Sequence, residues 1–159
     1  MRIDRRRLLQ TVAILGTLSA YATIVLGGTV RGMDAGLACL DWPLCNGHVV
    51  PDLNDPQVAV EYAHRLVAAL TTLFILLMLV VTLLWFRSDV PLLTFSVASM
   101  ALLIAQVGFG ALTIAYRLDW VIVTIHLALG TATFASALVV AFLALRPPPR
   151  EIATAPPTA

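Results

Sequence analysis

The stretch EYAHRLVAALTTLFILLMLVVTLLWF, residues 61–86, decides the fold. From Leu66 to Phe86 it carries no charged residue, and about 20 apolar residues suffice for a helix to cross about 30 Å of hydrocarbon. Directly before that run stand Glu61, His64 and Arg65, a carboxylate, an imidazole and a guanidinium in one short segment. Ionisable groups at the edge of a membrane span are costly to keep, so each is a candidate functional group.

Working outward, three further apolar runs meet the same length criterion: Leu8 to Val30, Leu92 to Ala115 and Trp120 to Leu145. Composition agrees. The chain of 159 residues is 60% hydrophobic and 12% charged, with a mean hydropathy of +0.93, whereas soluble domains carry about 25% charged residues. It cannot cover a water-facing surface. The expected fold is therefore an all-α membrane protein, a bundle of four transmembrane helices over about 8–30, 59–86, 91–115 and 120–145, with one long loop over 31–58. A net charge of +1 argues against nucleic acid as a partner. All ten basic residues are arginine, which reads as compositional bias.

Arg5-Arg6-Arg7 followed by an apolar run and Ser19-Ala20-Tyr21-Ala22 also has the look of a signal peptide. The run continues past that cleavage site through Val30, which favours a retained first helix. Arginine placement sets the orientation. Arg2, Arg5, Arg6, Arg7, Arg87, Arg146 and Arg150 fall on one side, and Arg31, Arg65 and Arg117 on the other. Both termini are expected in the cytoplasm of a multi-pass cell-membrane protein, with the long loop outside, where Cys39 and Cys45 can oxidise to a disulfide. The Pro-rich end, 147–159, reads as a disordered cytoplasmic tail and a natural terminus.

His64 lies 23 residues before Arg87, and His126 lies 20 before Arg146. Helices 2 and 4 run in the same direction, so the imidazoles differ in height by about 4.5 Å at about 1.5 Å per residue. Helix tilt absorbs such an offset. The two histidines can therefore ligate one haem iron from opposite sides. Four and seven positions on lie Ala68 and Thr71, and Gly130 and Thr133, small enough to leave room for a macrocycle. Small residues also line ordinary helix interfaces, and an interfacial histidine is often only hydrogen-bonded. Glu61, one turn before His64, would reach the macrocycle edge as a proton acceptor, or would be a helix-start acid. Arg31, Arg65 and Arg117 could pair with haem propionates at the mouth, or snorkel.

The loop reads Gly27-Gly28-Thr29-Val30-Arg31, then Gly36-Leu37-Ala38-Cys39-Leu40-Asp41-Trp42-Pro43-Leu44-Cys45-Asn46-Gly47. With Glu61-Tyr62-Ala63-His64-Arg65, with Gln106, Gly110 and Thr113, and with His126-Leu127, it closely resembles the heme A synthase family over about residues 27 to 130. The resemblance implies that Glu61, His64 and His126 belong to the haem site. It also implies oxidation of the C8 methyl of haem O, through hydroxylated intermediates, to the formyl group of haem A for terminal oxidases. Familiar members have eight helices and two histidine pairs, one pair for a haem b cofactor and the other for the substrate. Here one pair is present, His64 and His126, with His48 in the loop and expected in solvent. Three arrangements follow: a homo-oligomer that divides the two roles, one site that serves in turn, or a short form that binds haem without catalysis; the first is preferred, and Gly108 and Gly110 offer a close-packing surface. An external electron donor is required, because no flavin, nicotinamide or iron–sulfur motif is present. Haem O synthase is a further candidate partner.

Three readings of Cys39 and Cys45 stay open: a structural disulfide, a redox-active pair, or zinc held with His48 and an aspartate. Two other functions compete with the oxidoreductase. One is a bis-histidine electron-transfer or haem-delivery subunit without oxygenase activity. The other is a thiol oxidase, disfavoured because it would need a second cysteine pair and has no use for His126.

Overall fold

The computed structural model describes residues 4–147 and contains four helices, α1 (Arg5–Gly32), α2 (Pro56–Trp85), α3 (Val90–Ala115) and α4 (Trp120–Leu145). The apolar runs say where hydrocarbon is crossed, but aspartates say where the helices begin. Asp4, Asp55, Asp89 and Asp119 each accept backbone N–H bonds of the following first turn, satisfying donors that have no partner within the helix. Pro56 and Pro91 fall in first turns, where no hydrogen bond is lost. Helix α1 accordingly starts at Arg5, a turn before its apolar run, and α2 starts ahead of Glu61. The tail expected to be disordered lies, from residue 148 on, outside the described residues.

The helices form a ring in which α1 touches α2 and α4, and α3 touches α2 and α4. Each of the four seams carries at least one polar bond between helices. Thr23 Oγ1 meets Thr71 Oγ1 at 3.0 Å, Thr82 Oγ1 meets Ser96 Oγ at 3.1 Å, Ser99 Oγ donates to Ser136 Oγ at 2.9 Å, and Gln10 Nε2 donates to the Ala144 carbonyl at 3.1 Å. Small hydroxyl residues let the backbones approach, and their bonds suit surroundings without water.

The apolar core occupies only the end of the bundle far from the long loop. It is built from Leu9, Val12, Ala13, Ile75, Met78, Val81, Leu92, Val140 and neighbours. At the loop end the same ring of helices encloses a cavity instead. The outside is apolar throughout, with Leu18, Leu84, Ile104 and Phe142 all more than half exposed. All four helices are long and apolar enough to cross a membrane, and the chain is a multi-pass membrane protein.

Candidate functional site

The cavity measures about 680 Å³ and is walled by all four helices, with Trp42 and Pro43 of the loop at its mouth. That volume is in the range of cofactor pockets. His64 and His126 both line it, from α2 and α4, which stand diagonally across the ring.

Each histidine rests in a seat on the neighbouring helix, and the two seats repeat one design. His64 Nδ1 bonds the Thr23 carbonyl at 3.1 Å, and His126 Nδ1 bonds the Gln106 carbonyl at 3.0 Å. A carbonyl only accepts, so both Nδ1 atoms carry the proton. In the neutral ring Nε2 then keeps its lone pair free, as a metal-ligating imidazole requires. Four residues after each carbonyl comes a glycine. A Cβ on Gly27 would stand 3.2 Å from His64 Cε1, and one on Gly110 would stand 3.2 Å from His126 Cε1. The rings lie where side chains would otherwise be. Thr23 and Gln106 escape a reading for chemistry because their backbone does the work.

The floor beneath the rings is asymmetric. Ala68, Thr71 and Gly130 line the cavity, whereas Thr133 is buried and bonds the Leu129 carbonyl at 2.8 Å, away from the wall. Gly130 leaves room for the Gln106 carboxamide, whose Nε2 would lie 2.9 Å from a Cβ at that position. The expected Gly108–Gly110 packing surface does not exist as one face. Gly110 is against His126, and Gly108 looks outward with nothing within 4 Å of its Cβ position. Two positions along a helix amount to about 200° of rotation, so such a pair cannot share a face.

Glu61 is buried at the cavity wall, 6% exposed, and accepts from Arg65 Nε at 2.8 Å through Oε1. Arg65 lies partly buried beside it, and its remaining bonds go to loop carbonyls. The other two arginines stand apart from this pair. Arg31 lines the mouth and pairs with Asp34 at 3.1 Å in solvent, and Arg117 is exposed off the cavity wall.

Cys39 and Cys45 form a disulfide, both buried. Zinc would need them as thiolates, so the zinc reading falls. His48 is exposed and pairs through its backbone with Cys45. The loop is shaped by Asp41, whose carboxylate accepts from the N–H groups of Asn46 and Gly47. Gly47 takes a φ of 80°, open to glycine and strained for other residues. The bond from Gly47, with that from Asn46, holds the Asp41 carboxyl below its ordinary value. A depressed folded pKa contributes order above the unfolded value and loses it as pH falls through the folded one. The rate at which an acid-tolerant phosphine opens the disulfide, relative to a model disulfide at the same pH, should therefore stay constant from neutral pH down to the ordinary carboxylate range and rise progressively from there. Asp41→Asn should raise it already at neutral pH.

Fold and site together define a membrane-embedded helical bundle with two seated histidines facing one cavity. The family profile described as "cytochrome oxidase assembly protein" (COX15-CtaA) matches residues 10–158, and the chain belongs to this family. Among its relatives is the heme A synthase of Lysinibacillus sphaericus, 31% identical over 146 residues, which cover 89% of this chain and 46% of that protein. The heme A synthase of Neorickettsia sennetsu is 40% identical over 116 residues, 65% of this chain and 34% of that one. Protoheme IX farnesyltransferase 1 of Natronomonas pharaonis is 36% identical over 132 residues, 80% of this chain and 27% of the relative. The chain thus spans less than half the length of these relatives. No solved structure matches.

Proposed function

We propose that the protein is an oxidoreductase that converts the C8 methyl of haem O to the formyl group of haem A, with His64 and His126 as the iron ligands and Glu61 as the acting carboxylate. The observation that carries the reading is the duplicated histidine seat, which leaves two free Nε2 atoms facing one cavity. The residues present fit a haem. The ligands are neutral and opposed, glycines clear the space around the rings, and the walls are mostly apolar. Bound haem b would supply redox chemistry, and haem O would be the substrate. This chain's own part is to seat the rings, exclude water through its apolar walls, and offer Glu61 as the proton acceptor at the macrocycle edge.

In this reading a homo-oligomer divides the two haem roles between copies of the His64–His126 pair, with electrons arriving from an external donor. Haem O synthase is the natural supplier of substrate. The Natronomonas relative bears a farnesyltransferase name while sharing a segment like this chain, which supports closeness of the two steps. The arginine distribution supports a membrane orientation with both termini cytoplasmic and the disulfide loop outside.

The test is production of haem A. Expressed in a host that makes haem O but no haem A, the chain should yield extractable haem A. Chromatography of the purified protein should find two haem types across its subunits. Full haem loading without any hydroxylated or formyl product would rule out the reaction.

A further inference from the structure

Arg65 hydrogen-bonds both Glu61 at the cavity wall and the disulfide ring of the loop. Its Nε donates to Glu61 at 2.8 Å. One terminal nitrogen donates to the carbonyls of Asp41, at 2.7 Å, and Leu44, and the other donates to the Cys39 carbonyl at 2.8 Å. All three carbonyls belong to the ring closed by the Cys39–Cys45 disulfide. A guanidinium is a rigid planar fork, so three acceptors meet it together only if the chain that carries them is held in a tight curl. The disulfide closes that curl. Asp41 braces it on the N–H groups of Asn46 and Gly47, and Asn46 Nδ2 ties it to the Ala38 carbonyl at 2.9 Å. On the other side, Arg65 is the sole hydrogen-bond partner of the Glu61 side chain among the described residues. The position of Glu61 therefore depends on Arg65, and that of Arg65 on the ring.

We propose that Arg65 is a positioning residue and that the disulfide ring is its receptor: the ring holds the guanidinium, the guanidinium holds Glu61 at the cavity wall, and opening the disulfide displaces Glu61 while leaving the histidine seats intact. The ring bonds lie on the loop side of Arg65, whereas the seats are carried by Thr23 and Gln106 within the bundle. This gives the loop a role in the site without any redox traffic through its sulfurs. The catalytic consequence rests on Glu61 as the acting carboxylate; the holding of the ring does not.

Two measurements on the full chain in detergent test this. The first is the rate at which a phosphine reductant opens the disulfide, read as mass added by a maleimide. The phosphine gives two electrons and becomes its oxide, while the S–S bond yields two thiols. Both sulfurs are buried, 0% and 2% exposed by residue, so reduction requires the ring to open. Holding is reciprocal, and loss of several charge-assisted bonds in Arg65→Gln should speed reduction about tenfold or more. Arg65→Lys, a point charge that cannot span three carbonyls, should fall between. Arg31→Gln should leave the rate unchanged. A wild-type rate in an Arg65→Gln protein that retains its helical circular dichroism overturns the proposal.

The second measurement is turnover of the haem-loaded protein. Cys39→Ser with Cys45→Ser should lower kcat about tenfold, the scale of a small misplacement at a reacting centre, with KM and the haem absorption spectrum unchanged. Arg65→Lys added to that background should cost little more, because both changes break one linkage. Wild-type kcat in the serine pair, or losses that multiply, overturn the catalytic half. A wild-type protein that binds haem without turnover sinks the oxidation reading instead, and the reduction rates still decide whether the ring holds Arg65.

Discussion

Replacing His64 or His126 with alanine should strip the protein of stably bound haem, while His48→Ala should leave the haem content untouched. The seats explain the size of the effect. Each ring is fixed by its Nδ1 bond, at 3.1 Å to the Thr23 carbonyl and 3.0 Å to that of Gln106, so the Nε2 atoms are aimed before any metal arrives. Loss of a partner that merely orients a ligand typically costs about 10- to 100-fold in affinity, and loss of the ligand itself should cost more. The low-spin spectrum of two-histidine ligation should disappear in either variant. Free imidazole added to His126→Gly should restore it, because the vacated space above Gly110 lies open to the cavity. Haem retained at wild-type stoichiometry in both alanine variants would show that the two rings are packing residues. The seats themselves are testable by Gly110→Leu, which places a side chain where the His126 ring now stands, 3.2 Å from its Cε1, and should mimic His126→Ala.

The four spans were legible because hydrocarbon imposes a length and a composition that nothing else in the chain imitates, as Leu66 to Phe86 illustrates. The helix beginnings were less so. Periodicity of apolar residues stops at the membrane edge, and only Asp4 and Asp55, as caps, reveal that α1 and α2 start earlier. The pairing of His64 with His126 could be read from spacing to the arginines at the far helix ends, since a helix has a fixed rise. The seats could not. A backbone carbonyl leaves no trace in residue identity, and Gly27 and Gly110 acquire meaning only when the ring each faces is known. Arg65 was open to a reading as a propionate partner because three acceptors on a loop that curls back cannot be foreseen from sequence distance.

Glu61→Gln should abolish most turnover and keep the haem. Glutamine preserves the shape and can still accept the Arg65 Nε–H through its amide oxygen, but it takes up no proton and offers no charge. Removing a positioned proton acceptor typically costs about 10²- to 10⁴-fold in rate, and kcat should fall within that range with KM for the substrate little changed. The same substitution leaves the partly buried Arg65, its side chain 14% exposed, without its counter-charge, and breaking a fully buried pair from one side costs about 3–5 kcal/mol. Three ring carbonyls still face the guanidinium, so the loss of thermal stability should fall at or below the lower end of that range. Glu61→Asp separates the two effects. It retains the charge while withdrawing the carboxylate by one methylene from the wall, so stability should largely return while kcat recovers only in part. A haem carrier would respond differently, with an unaltered haem spectrum and unaltered haem transfer in both variants. Equal turnover in wild type and Glu61→Gln would therefore reduce Glu61 to a structural counter-ion for Arg65.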